Sequence, residues 1–137
     1  MNYTRDIIIT HPQKITEPKL DALVNAIHAC FNTGQTCVTC ADACADEQSA
    51  VELRDVIRLN NDCSDICIST GKVLSRLNYP NWNSLRAQVK SCLQVVQDCA
   101  ALCQEHARMH EHCRVCADSC RVCETSLKDY YKLIENA

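Results

Sequence analysis

Thirteen cysteines in a 137-residue chain fall into four groups, and within every group the steps are three, four or seven residues. The groups are Cys30, Cys37, Cys40 and Cys44; Cys63 and Cys67; Cys92, Cys99 and Cys103; and Cys113, Cys116, Cys120 and Cys123. At about 100° per residue, such steps return a side chain to one face of an α-helix. A knuckle or loop would need glycine or proline beside the thiols, yet HCRVCADSCRVC, residues 112–123, has neither. The whole chain holds two glycines, Gly34 and Gly71, and three prolines, Pro12, Pro18 and Pro80. With Ala, Leu, Gln, Glu, Lys and Arg throughout, so few breakers read as nearly all helix.

The spacing predicts four helices at about 18–45, 48–77, 82–109 and 112–134, with NYPNWNS (78–84) as the central turn. Pro18 suits a helix start, where its missing N–H is not needed. Long helices joined by short links imply an all-α, antiparallel up-down four-helix bundle over 18–137. Residues 1–17 form an N-terminal arm. Its run Ile7, Ile8, Ile9 leaves two options, an extended segment that packs on a partner or a frayed tail.

Within each helix the thiols span an arc of under about 100°, the width of one core-facing stripe. Four stripes in an antiparallel bundle converge on one axis, so the predicted core is lined by cysteine. Leu20, Leu23, Ile27, Leu74, Leu77, Trp82, Leu85, Leu127, Tyr131 and Ile134 gather at one end as a hydrocarbon plug. Cys44, His106, His110 and Cys113 gather at the other as a mouth.

Cysteine is often just a small buried hydrophobe, and one or two of these fit that description. Thirteen on inward stripes do not, since Val or Ala would fill the space without the oxidation risk. Disulfides between helical neighbours require torsions that helical Cβ vectors disfavour. CVTC and CRVC each contain C-x2-C, but zinc takes four ligands in a tetrahedron, commonly from turns. Ferredoxin-type iron–sulfur clusters use cysteine runs on loops. A zinc or iron–sulfur redox or sensor protein is therefore the competing reading.

Cu(I) fits better. It is soft and prefers thiolate. It accepts near-linear two-coordination, and Cβ atoms at i, i+3 or i+4 lie about 5–6 Å apart. One Cu(I) per thiolate also leaves a neutral core, whereas unpaired buried thiolates are prohibitively costly.

The expected metal ligands are Cys30, Cys37, Cys40, Cys44, Cys63, Cys67, Cys92, Cys99, Cys103, Cys113, Cys116, Cys120 and Cys123, with His106 and His110 continuing a stripe to the mouth. Met109 and His112 lie off the stripe by helical arithmetic, although the nearby turn can bring either in. His28 points away from the thiols and His11 lies in the arm, so neither is read as a ligand. Asn60 shares the stripe of Cys63 and Cys67, where its amide can hydrogen-bond a thiolate.

Net charge is −3, with Lys and Arg scattered, so no nucleic-acid footprint or polybasic membrane patch is expected. No stretch approaches the roughly 18 apolar residues of a membrane span. MNYTRDIIITHPQK lacks the apolar run of a secretory signal, which makes the cytoplasm the expected compartment.

The pattern resembles the bacterial copper storage proteins over about residues 18–134. The resemblance rests on CVTCADAC (37–44), RLNNDCSDIC (58–67), QDCAALCQEHARMHEHC (97–113) and CRVCADSCRVC (113–123) in combination. It implies a four-helix bundle holding many Cu(I) ions, a store or buffer rather than an enzyme, and a homotetramer as in the cytosolic branch. Relatives in that branch often carry a further cysteine near the start of the second helix. Val56 occupies that stripe position here, which implies a smaller capacity.

Overall fold

The computed structural model describes residues 3–137; residues 1 and 2 of the expected arm lie outside them. Among the described residues the elements are α1 (Thr4–Ile9), α2 (Lys19–Ala45), a 3-10 turn (Ala50–Leu53), α3 (Arg54–Ser75), α4 (Trp82–Glu105) and α5 (Glu111–Ile134). Helices α2 to α5 run alternately up and down, and each packs against two neighbours in the cyclic order α2, α3, α4, α5. The fold is all-α.

Local chemistry sets several of the boundaries. Asn81 caps α4, its Oδ1 accepting the Ser84 N–H at 3.1 Å. Just before it, Tyr79 takes the left-handed backbone conformation, φ 50°, that reverses the chain after α3. Between α2 and α3 the helices meet closely at their glycines. A Cβ on Gly34 would lie 2.5 Å from Ile68 Cδ1, and one on Gly71 would lie 2.9 Å from the Phe31 ring. Ser64 Oγ donates to the Gly34 carbonyl at 2.7 Å across the same seam. On the other side of α2, Thr33 Oγ1 donates to the Ser119 carbonyl of α5 at 3.1 Å.

The expected elements and the observed ones differ at three places. Residues Thr4–Ile9 are helical, neither extended nor frayed, and Ile8 is buried against the chain's own α2. Arg5 secures this short helix by pairing with Glu17 and Asp21. The second bundle helix starts at Arg54 after a 3-10 turn, not at 48. The third ends at Glu105 rather than 109, because backbone bonds such as His106 N–H to Cys103 O tighten the last turn and carry the chain towards α5.

The hydrocarbon plug forms where expected. Leu23, Ile27, Leu74, Leu85, Leu127 and Ile134 are all buried. On α5 it is Tyr130, not Tyr131, that enters the core, following steps of four, three and four from Cys123 through Leu127 to Ile134. Tyr131 lies at the rim, with the Lys90 ammonium 5.5 Å from its ring centre. No helix of the described residues is long and apolar enough to cross a membrane.

Candidate metal centre

All thirteen cysteines are free thiols pointing into the bundle, and none is more than 2% exposed. Each helix contributes in turn, because steps of three, four and seven hold its sulfurs on the inward face while the alternating directions stack the four stripes level by level. Deepest, against the plug, Cys67 Sγ lies 3.8 Å from Cys92 Sγ, and Cys30 and Cys123 interact with Cys92 at the same level. One level up, the sulfurs of Cys37, Cys63, Cys99 and Cys120, one from each helix, lie within 4.8 Å of one another. Cys63 joins this level to the one below, 3.9 Å from Cys67.

Above these, Cys40, Cys103 and Cys116 form a second group within the same limit. Cys116 links down to Cys37 at 3.6 Å, and Cys103 to Cys99 at 4.0 Å. The outermost level is Cys40, Cys44 and Cys113 with His112. Sulfur-to-sulfur steps of 3.6–4.0 Å, joined between levels by gaps of no more than 4.8 Å, thus run from the plug to the mouth.

Asn60 sits in the middle of this column, fully buried. Its Oδ1 accepts S–H donors from Cys99 at 3.0 Å, Cys116 at 3.2 Å and Cys103 at 3.6 Å. Among the described residues its Nδ2 has no hydrogen-bond partner. The sequence placed Asn60 on the stripe; the structure makes it the acceptor at the junction of two thiol groups.

Crowded thiols share protons, and the sharing divides them. Cys37 is held neutral, its pKa raised by its hydrogen bonds with Cys116 and Cys120, in which it keeps the proton, and then by burial. Cys30 and Cys67 are raised through Cys123 first, and Cys103 through Cys116. Burial leads in pushing Cys44 up to about 11. The acceptors move the other way: Cys120, favoured by Cys116, and Cys63, favoured by Cys120, come down to about 6. Cys40 is lowered most plainly for a local reason, since Cys103, Cys113, Cys116 and His112 all surround its sulfur.

At the mouth the observed histidines differ from the expected pair. The stripe through His106 and His110 assumed an unbroken helix, but α4 ends at Glu105. His106 lies in the C-terminal cap of α4 and joins none of the ligand groups among the described residues. His110 sits at the N-cap of α5 with Nδ1 3.5 Å from Glu47 Oε2. His112, read as off the stripe, reaches the thiols: its Nδ1 lies 3.5 Å from Cys40 Sγ, 3.7 Å from Cys113 and 4.0 Å from Cys44. Burial alone would lower the His112 pKa, but hydrogen bonds with Cys40 and Glu47 outweigh it and the net direction is up.

The other residues considered stay outside. Met109 is 81% exposed. His11 follows α1, where its Nδ1 accepts the Gln13 N–H at 2.9 Å, and His28 is on the outer face of α2. Val56 is buried beside Leu53 at the start of α3, so that helix presents hydrocarbon near the mouth.

Chemically, the column offers closely spaced soft donors with imidazole at one end and hydrocarbon at the other. Three comparisons bear on it. A copper storage protein from Streptomyces lividans, solved loaded with ten copper equivalents, is 37% identical, with a TM-score of 0.91 over 94% of this chain and 98% of that one. A structure of a cytosolic copper storage protein from the same organism, described with five coppers, is 40% identical, with a TM-score of 0.80 over 82% and 93%. An uncharacterized cysteine-rich protein of Bacillus subtilis, YhjQ, is 30% identical over 91 residues, 66% of this chain and 79% of that one. The family model for copper storage proteins matches residues 19–132, and the chain belongs to that family.

Proposed function

We propose that the protein stores Cu(I), holding many ions as thiolates of its thirteen cysteines. The observation that carries this reading is the continuous column of buried sulfurs, in which neighbours at 3.6–4.0 Å are joined into successive levels by gaps of no more than 4.8 Å. Such steps let an ion bridge neighbouring thiolates and move inward by ligand exchange, with no uncoordinated stage. Each Cu(I) replaces a thiol proton, so loading adds no net charge to a low-dielectric interior. In this reading His112 hands ions to Cys40, Cys44 and Cys113, while His110 and the more peripheral His106 form the approach. The plug of Leu23, Leu74, Leu127 and Ile134 closes the far end.

The cytoplasm, where thiols stay reduced, is the compartment in which such a column remains usable. A store, not a catalyst, is the role that a closed, ligand-saturated interior supports. Assembly into homotetramers is proposed on the family likeness.

One observation favours a second reading. Cys37, Cys63, Cys99 and Cys120, one thiolate per helix within 4.8 Å, make a set that tetrahedral zinc could use. Four thiolates around Zn(II) would leave two negative charges in the core, and nine sulfurs would remain unexplained. Anaerobic Cu(I) titration against a competing chelator separates the two. The storage reading expects tight binding near or beyond one ion per cysteine; saturation at one or two equivalents would sink it.

A further inference from the structure

At the outer end of the column three side chains of a different character meet. Glu47 follows the C-terminus of α2, His110 precedes α5, and His112 lies in the first turn of α5. Glu47 reaches both rings, with Oε2 3.5 Å from His110 Nδ1 and Oε1 3.3 Å from His112 Nε2. The two imidazoles are stacked with centroids 5.5 Å apart, and the donor atoms of all three residues lie within 4.8 Å. A tetrahedral ion with bonds of 2.0–2.1 Å sets neighbouring ligand atoms about 3.3 Å apart. Each Glu47 oxygen stands near that spacing from one imidazole, and a small adjustment of side chains that already lie within 4.8 Å would close the set.

The donor set decides which ion. Two imidazoles and a carboxylate suit borderline divalent cations, whereas soft monovalent ions prefer the sulfurs below. Three protein donors also leave a fourth position for water, and solvent reaches the side chains of His110, His112 and Glu47, which are 12%, 26% and 37% exposed. We propose that Glu47, His110 and His112 form a binding site for a divalent cation of the zinc class, distinct from the thiol column.

His112 belongs to both places. Its Nε2 faces Glu47 and its Nδ1 faces Cys40, Cys44 and Cys113. A neutral imidazole has one nitrogen free to accept, and the other carries the proton. A divalent ion on Nε2 therefore fixes the proton on Nδ1, where it is donated to Cys40. Cu(I) on Nδ1 fixes the proton on Nε2, where it is donated to Glu47. While the ring stays neutral the two occupancies exclude each other, so a divalent ion at the mouth hinders the first steps of copper uptake. This exclusion rests on the copper storage reading; the divalent site itself does not.

Anaerobic titration of the metal-free protein with Co(II), a spectroscopic stand-in for zinc, tests the site. The first equivalent is expected to give visible ligand-field bands without sulfur-to-cobalt charge transfer, and Glu47→Gln to weaken it by about tenfold or more. Sulfur charge transfer from the first equivalent, or undiminished binding in Glu47→Gln, would overturn the proposal. In a second arm, Zn(II) is expected to slow uptake of the first Cu(I) in the wild type but not in Glu47→Gln. Equal wild-type rates with and without zinc refute the exclusion. Cobalt bands in a protein that takes up no Cu(I) refute the storage reading and leave the divalent site standing.

Discussion

Asn60 combines a well-used oxygen with an idle nitrogen. Three thiols converge on Oδ1, while the buried Nδ2 has no partner among the described residues. An unsatisfied buried donor costs about 1–3 kcal/mol, and S–H groups are weak donors that lose little without their acceptor. Asn60→Leu, close in volume, is therefore expected to stabilise the metal-free protein by up to about 1–3 kcal/mol in urea unfolding. A clear loss of stability would show that the thiols depend on that carbonyl. Asn60 was legible from its place on the stripe; His112 was legible only as a residue, like Met109, that the turn could bring in. Helical arithmetic sets it 100° from Cys113, but Cα–Cβ bonds tilt towards a helix's N-terminus. In the first turn of α5 that tilt carries the ring over the end of the bundle to Cys40 and Cys44.

Among the elements, α2 and α3 form the seam with the least slack. Gly34 lies where any Cβ meets Ile68, and Ser64 bonds its carbonyl. Gly34→Val would wedge the pair apart and add a residue of modest helix propensity. It is expected to destabilise by about 1–3 kcal/mol, seen as a lower thermal midpoint with unchanged helical content below it. Unaltered stability would mean that Ile68 swings clear. The inward direction of every thiol was readable because helix periodicity is a local property, indifferent to what the helix packs on. The ends of elements were less readable. Nothing in HARMH, residues 106–110, breaks a helix, and α4 ends there through backbone bonds that tighten its last turn, His106 N–H to Cys103 O among them. For α1, three isoleucines left an extended segment or a frayed tail; docking of Ile8 on α2 and the ion pairs of Arg5 decide for helix, and both are tertiary.

Taken whole, the molecule keeps most of its core protonated. Cys30, Cys37, Cys67 and Cys103 have folded pKa values raised above the ordinary thiol value of 9.0, and burial pushes Tyr130 up to about 12. Groups raised on folding contribute stability that is present below the unfolded pKa and lost as pH rises beyond it. The thermal midpoint of the metal-free protein is therefore expected to fall as pH climbs past about 9. The copper-loaded form, its sulfurs already stripped of protons, should stay nearly level over that range. Matching pH profiles for the two forms would contradict this protonation pattern. The plug described at the base of the bundle has a consequence of its own. A column one sulfur ring wide and sealed at its foot behaves as a stack, in which the last ion in is the first one out. With entry at the mouth, as proposed above, copper taken up early would come to rest beside Cys30, Cys67, Cys92 and Cys123 and would leave only after the later arrivals above it had gone. The order of loading is thereby written along the axis of the protein, and brief swings in supply touch only its upper levels.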